Sequence, residues 1–216
     1  MSMDDHLAAC RRIKRSLESA EKELQDGEPG VPFTVDIING YDSELRTAIT
    51  KIIQLGAVGC NIEDSRFDPA TKKHSLFSIE EMQERLRTAQ QVAAENGVPD
   101  FVFNVRCDAV LFDPANGFEE IVKRGTAYLE TKVPTTIFVW GGPFGPDVTP
   151  AQLKSLVERW GGKVSTKVTK GKWSVQELAE AGVSRVSIGP YMAFMHTEHV
   201  KAAAKRILDG GVFSFE

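Results

Sequence analysis

Gly56-Ala57-Val58-Gly59-Cys60-Asn61-Ile62-Glu63-Asp64 is the stretch that decides the fold. Before it, residues 43–55 carry Leu45, Ala48, Ile49, Ile52 and Ile53 on one side of a helix, with Ser43 placed to cap its start. Within it, the near-continuous apolar run 58–62 reads as a buried strand that stops on two carboxylates. A helix that hands over to an apolar strand is the repeating unit of a parallel sheet covered by helices.

The same alternation recurs outward in both directions. Strands are predicted at 33–37, 58–62, 101–106, 136–140, 164–168 and 185–188, with helices at 43–55, 78–96, 117–130, 150–160, 174–181 and 191–208. One more helix opens the chain at 4–25, with Leu7, Cys10, Ile13, Leu17, Ala20 and Leu24 at helical spacing, and Gly27, Pro29, Gly30 and Pro32 end it. Six strands leave two architectures open. A closed (β/α)8 barrel takes eight strands and about 250 residues, whereas an open doubly wound sheet is complete with five or six. No linker or internal repeat divides residues 1–216, so a single α/β domain is expected.

Composition narrows the function. Of the 216 residues 42% are hydrophobic and 26% charged, enough apolar surface for a folded core and too little charge for a disordered chain. With 26 Lys+Arg against 30 Asp+Glu the net charge is -4, and no basic run marks a nucleic-acid surface. Three widely spaced cysteines suit packing thiols in a reducing compartment. The start lacks a signal-peptide pattern and no apolar run is long enough to span a membrane, so a cytoplasmic protein is expected.

Reactive groups in parallel α/β folds gather at the carboxyl ends of strands. Asp36 closes the first strand ahead of Asn39-Gly40-Tyr41, Glu63 and Asp64 close the second, Arg106 and Asp108 the third, and Lys167 lies late in the fifth. Carboxylates that converge with an arginine suit Mg2+ and an anionic substrate, because Mg2+ takes oxygen ligands and guanidinium clamps carboxylate or phosphate. The same residues also have structural readings: a strand-end Asp caps turns, and a strand arginine needs a carboxylate partner with or without catalysis. His74 reads as a loop histidine, His196 and His199 lack metal spacing, and Cys107 reads as a packing thiol. Residues 141–145 are glycine-rich but lack the lysine of a phosphate loop, and 187–190 suit either an anion contact or a turn.

Four runs in order carry a resemblance: Val35-Asp36-Ile37-Ile38-Asn39-Gly40-Tyr41, then 56–64 quoted above, Asn104-Val105-Arg106-Cys107-Asp108-Ala109, and Gly182-Val183-Ser184-Arg185-Val186-Ser187-Ile188-Gly189-Pro190. Over about residues 5–208 the chain resembles the isocitrate lyase and phosphoenolpyruvate mutase superfamily, chiefly its small phosphoenolpyruvate mutase-like and 2-methylisocitrate lyase-like members. The resemblance implies a TIM-type α/β barrel that binds Mg2+ and a small oxo- or enolpyruvyl acid. It also implies cleavage or formation of a C–C or P–C bond beside a carboxylate, through an enolate-like species. On matching positions, Asp36 and Glu63 take the metal, Glu63 through water, and Arg106 is the catalytic, substrate-binding arginine. Asn61, Tyr41 and Gly40 add substrate contacts, and Asp64 supports the site, although it follows Glu63 directly and is placed to cap the loop instead. Residues 64–77 correspond to a gating loop, in which Lys72 is the candidate catalytic lysine and no cysteine is present.

Two departures accompany the likeness. Ile38 stands where family members usually have a second acid. The opening helix resembles the family's second helix, so the strand, helix and strand ahead of it are lacking and six of eight strands remain. The expectations are therefore an incomplete barrel of six parallel strands in chain order, with the opening helix packed outside through Leu7, Ile13, Leu17 and Leu24. Asp36, Glu63 and Arg106 should share one pocket. Mg2+ binding should be weak or substrate-dependent, with low lyase activity, or the chain is a catalytically degenerate homologue with a binding or structural role. Because family members commonly assemble through C-terminal helices, the resemblance also implies a homo-oligomer, with an exchanged terminal helix expected to be lacking here.

Overall fold

The computed structural model describes residues 2–24, 30–142, 148–168 and 173–212. Gly27 and Pro29 as helix stops, and the glycine-rich run past Gly142, lie outside the described residues. The elements are α1 (Met3–Glu21), β1 (Thr34–Asp36), α2 (Leu45–Gln54), β2 (Gly59–Glu63), β3 (Ser65–Asp68), β4 (Lys73–Leu76), α3 (Ile79–Glu95), β5 (Val102–Cys107), α4 (Ala109–Phe112), α5 (Gly117–Glu130), β6 (Thr135–Val139), α6 (Pro150–Trp160), β7 (Val164–Lys167), α7 (Val175–Glu180), β8 (Arg185–Ser187) and α8 (Tyr191–Leu208). Ser43 lies inside a single 3-10 turn, Asp42–Glu44, ahead of α2 and does not cap it. Ser78, Thr149 and Ser174 do cap α3, α6 and α7 with their hydroxyls.

Six strands form one parallel sheet in the order β1-β2-β5-β6-β7-β8. Every neighbour follows in chain order, which a doubly wound sheet does not do. A flat sheet of six strands would hold its edges about 24 Å apart at roughly 4.8 Å per strand. Yet Arg185 of β8 donates through Nη2 to Oγ1 of Thr34 on β1 at 3.2 Å. The sheet is thus curled into an open arc of a barrel. Its edge strands have only three residues each, and short edges offer little template for unwanted pairing.

The arc sorts its residues by strand period. On the convex face Val35, Ile37, Cys60, Ile62, Phe103, Val105, Cys107, Ile137, Val139 and Val164 are buried among Ile49, Ile52, Leu86, Ala89, Ile121, Leu153 and Leu156 of the helices. All three cysteines are buried and free, as packing thiols.

Two expectations need correction. The opening helix buries Leu7 and Cys10 and partly packs Leu17, but Ile13 is 54% exposed and Leu24 39%. It rests on α2, and that short helix offers a surface only to the first turns of α1. The 64–77 segment is not an open loop but the antiparallel hairpin β3–β4, in register from Ser65↔Leu76 to Asp68↔Lys73. Its turn is held by Asp68, whose carboxylate accepts from the backbone of Ala70 and the hydroxyl of Thr71.

Candidate active site

The concave face of the arc is polar, and register explains how. Asp36, Asn61 and Asn104 are paired Cα to Cα across β1, β2 and β5, and Asn104 pairs with Thr136 of β6. Paired residues on adjacent strands point the same way. Their side chains form one hydrogen-bonded ladder: Asn61 Nδ2 donates to Asp36 Oδ2 at 2.9 Å, Asn104 Nδ2 to Asn61 Oδ1 at 2.8 Å, and Thr136 Oγ1 to Asn104 Oδ1 at 2.8 Å. The second oxygen of Asp36 accepts from the Ile38 amide at 2.9 Å, so the carboxylate is held at both ends.

One step closer to the carboxyl ends lies the row Glu63, Arg106 and Phe138. Arg106 is its hub. Nη1 lies 2.6 Å from Glu63 Oε1, while Nε and Nη2 donate to the two oxygens of Asp108 at 2.8 and 3.1 Å. Its guanidinium sits 4.0 Å over the ring of Trp140. Asp108 is fully buried and also accepts from Ser65 Oγ at 2.6 Å, which ties the hairpin to the site. A guanidinium has five N–H groups, so with three engaged this one keeps two for an anion.

Asp36 and Arg106 share a cavity of about 200 Å³ with Phe138, Trp140, Lys167 and the 187–191 turn into α8. Lys167 is buried and donates from Nζ to the Gly142 carbonyl. Glu63 lines a second recess, with Ile38, Asn39, Tyr41 and the hairpin residues Phe67 and His74. The three residues expected in one pocket therefore share one face, with Arg106 as the link between two recesses. Burial pushes the Glu63 carboxyl up to about 7, against the pull of Arg106. A folded-state value above the ordinary carboxylate one means that the native state holds this proton longer than the unfolded chain does. Stability contributed by the protonated form is thus lost as pH rises from about 4.5 to about 7. Urea unfolding of Glu63→Gln should show a flatter stability profile than the parent across that interval, and parallel profiles would show that Glu63 does not titrate there.

Other expected site residues are placed differently. Asp64, one residue after Glu63, faces the helices: it is fully buried and accepts from the Asp108 amide at 2.9 Å and the Tyr128 hydroxyl at 2.9 Å, with Arg124 Nη1 3.5 Å away. Gly40 lines neither recess. It turns the chain at φ +78°, where an added Cβ would meet Leu45 Cδ1 at 2.5 Å, so its role is the turn. Tyr41 borders the second recess, but its hydroxyl shares a hydrogen bond with His6 Nδ1 of α1. Lys72 is exposed at the hairpin tip with φ 56° and lines neither recess, because the turn carries it out to the solvent end of two strands. Lys167 and Trp140 are the residues underweighted from sequence; strand-end position pointed to the first, while Trp140 looked like one more apolar strand residue.

Among the described residues no group of three or more His, Cys, Asp or Glu is placed to hold a metal ion. Asp108 and Glu63 are spent on Arg106, and Ile38, 39% exposed, offers no oxygen. Asp36 alone presents a carboxylate to the Arg106 cavity. That donor set fits a Mg2+ ion held mainly by water and substrate oxygens and does not fit one held by several protein carboxylates. Among the described residues no helix is long and apolar enough to cross a membrane.

A model of the phosphoenolpyruvate phosphomutase family matches residues 1–208. A protein from Burkholderia cenocepacia J2315 described as a phosphonomutase is 26% identical over 95% of this chain and 79% of its own, with a TM-score of 0.74. Phosphonopyruvate hydrolase in complex with oxalate and Mg2+ is 23% identical, covers 98% of this chain and 69% of its own, and has a TM-score of 0.72. A 2,3-dimethylmalate lyase of the phosphoenolpyruvate mutase/isocitrate lyase superfamily has a TM-score of 0.77 at 15% identity, over 100% of this chain and 68% of its own. No curated protein matches the sequence. With the six-stranded arc and its strand-end Asp36, Glu63 and Arg106, these matches show that the chain belongs to the phosphoenolpyruvate phosphomutase family, a group of lyases and mutases that act on oxo-acids.

Proposed function

We propose that the chain binds a small oxo- or enolpyruvyl acid between Arg106 and Asp36 and breaks a C–C bond next to its carboxylate by retro-aldol cleavage, with P–C chemistry as the enzyme alternative. The observation that carries this is the pairing of opposite charges on one small cavity at the carboxyl ends of the strands. The two free N–H groups of Arg106 suit one carboxylate. Asp36 would repel that anion unless a divalent cation lay between them, so Mg2+ and substrate are expected to bind together. Bound there, Mg2+ would supply Lewis-acid stabilisation of enolate charge. Asn61 holds the Asp36 carboxylate toward the cavity, and Lys167, rather than Lys72, is the lysine at hand for proton transfer. The exposed Met192, Met195, Val200 and Leu208 on α8, which buries no residue, support a homo-oligomer.

A second reading, a homologue that binds the acid without turning it over, is favoured by Ile38 and by the two carboxylates already committed to Arg106. Calorimetric titration with Mg2+ tests both. Binding should strengthen about tenfold or more when oxalate is present. Tight Mg2+ binding without oxalate would contradict the one-carboxylate site. Cleavage of a hydroxy acid such as 2,3-dimethylmalate, whose retro-aldol step turns the hydroxyl carbon into the carbonyl of a released oxo-acid, separates the lyase from the silent binder.

A further inference from the structure

We infer that the acid taken by this site carries a bulky apolar substituent, branched or aromatic, rather than being a compact diacid. The inference rests on the reading of the Arg106 cavity as an oxo-acid site and deepens it. The cavity walls divide into two sides. Asp36, Arg106 and Lys167 supply the charged side, while Phe138, Trp140, Ile188 and Phe194 supply the apolar side. Phe138 is buried, but Ile188 is 51% exposed and Phe194 49%, at the mouth. Those two leave apolar surface in water that a ligand substituent would cover.

The position of Arg106 makes the two sides act on one ligand. Its guanidinium lies 4.0 Å over the Trp140 ring. A carboxylate hydrogen-bonded to Arg106 at about 2.8 Å thus has its neighbouring carbons beside that indole. Phe138, Ile188 and Phe194 line the same cavity as that indole, so a substituent on those carbons has an apolar wall to cover. A two-carbon diacid would leave most of a cavity of about 200 Å³ to water against aromatic walls, where water finds few partners. Covering those walls with a benzyl group in place of a methyl should raise affinity about ten- to a hundredfold.

Calorimetry in buffer containing Mg2+, with oxalate, pyruvate and phenylpyruvate as probes, tests this. Phenylpyruvate should bind at least tenfold tighter than pyruvate. Phe194→Ala, on a helix that buries no residue and so should fold normally, should weaken phenylpyruvate several-fold and leave pyruvate unchanged. If oxalate or pyruvate binds as tightly as phenylpyruvate, or if Phe194→Ala weakens all three alike, the substituent inference is overturned while the oxo-acid site stands. If none of the three binds, the site reading itself falls and the inference falls with it.

Discussion

Asp64→Ala is expected to cost about 3–5 kcal/mol of folding stability, the range for breaking a buried ion pair by removal of one partner. Asp64 is fully buried and receives hydrogen bonds from the Asp108 amide and the Tyr128 hydroxyl, with Arg124 beside it. Alanine would strand both donors and leave the 7%-exposed Arg124 with Glu120, the Phe77 carbonyl and the Tyr128 hydroxyl but no buried charge opposite it. Since domains are stable by only about 5–15 kcal/mol, this single change consumes a fifth or more of the margin. Urea denaturation reads it directly. Tyr128→Phe, which removes one hydrogen bond and keeps the packing, should cost about 1 kcal/mol. A loss below about 1 kcal/mol in Asp64→Ala would mean that Glu120 neutralises Arg124 unaided.

Arg106→Ala should lower affinity for oxalate at least about thirtyfold, since truncating one partner of a buried, hydrogen-bonded charge pair costs about 2–5 kcal/mol. The loss has two sources. The anion loses its receptor, and Glu63 and Asp108, which lie 2.6 and 2.8 Å from the guanidinium, are left without their cationic partner. Arg106→Lys separates these sources. Lysine restores a charge but not the fork that grips both oxygens of Asp108 while lying flat on Trp140. It should recover stability more than affinity. Calorimetric affinities set beside urea midpoints for the two variants check this, and equal oxalate binding by Arg106→Lys and the parent would mean that charge alone recruits the ligand.

The six strands were legible because each set of core-facing residues, such as Phe103, Val105 and Cys107, is bounded by a helix of clear period. Chain order followed from the likeness to a barrel, as periodicity by itself slightly favours an open doubly wound sheet. Asp36, Glu63 and Arg106 could be named from their strand ends, and Asp64 could be assigned to the opposite face because neighbouring strand residues alternate. The hairpin was not legible: its strands run Ser65-Arg66-Phe67-Asp68 and Lys73-His74-Ser75-Leu76, mostly exposed and without an apolar face. Ile13 was misplaced for a related reason, since helical spacing shows which side is apolar but not how far a neighbour extends along it. The pairing of Asp108 with Arg106 and the stacking of Trp140 depend on backbone curvature past the strand ends, which no local pattern records.

Chain-order neighbours bear on how the molecule comes together. As synthesis proceeds, each emerging strand finds its partner already released and lying at the growing edge, because no later strand inserts between two earlier ones in the sheet. Each contact closes only the loop between successive sheet strands, from Ser165↔Arg185 to Gly59↔Val102, and not one across the whole sheet, which favours stepwise assembly. The Arg185 to Thr34 bond is the exception, joining residues 151 positions apart. It can form only after the last strand docks, so it acts as a late latch whose opening would let the arc relax from its trailing edge first.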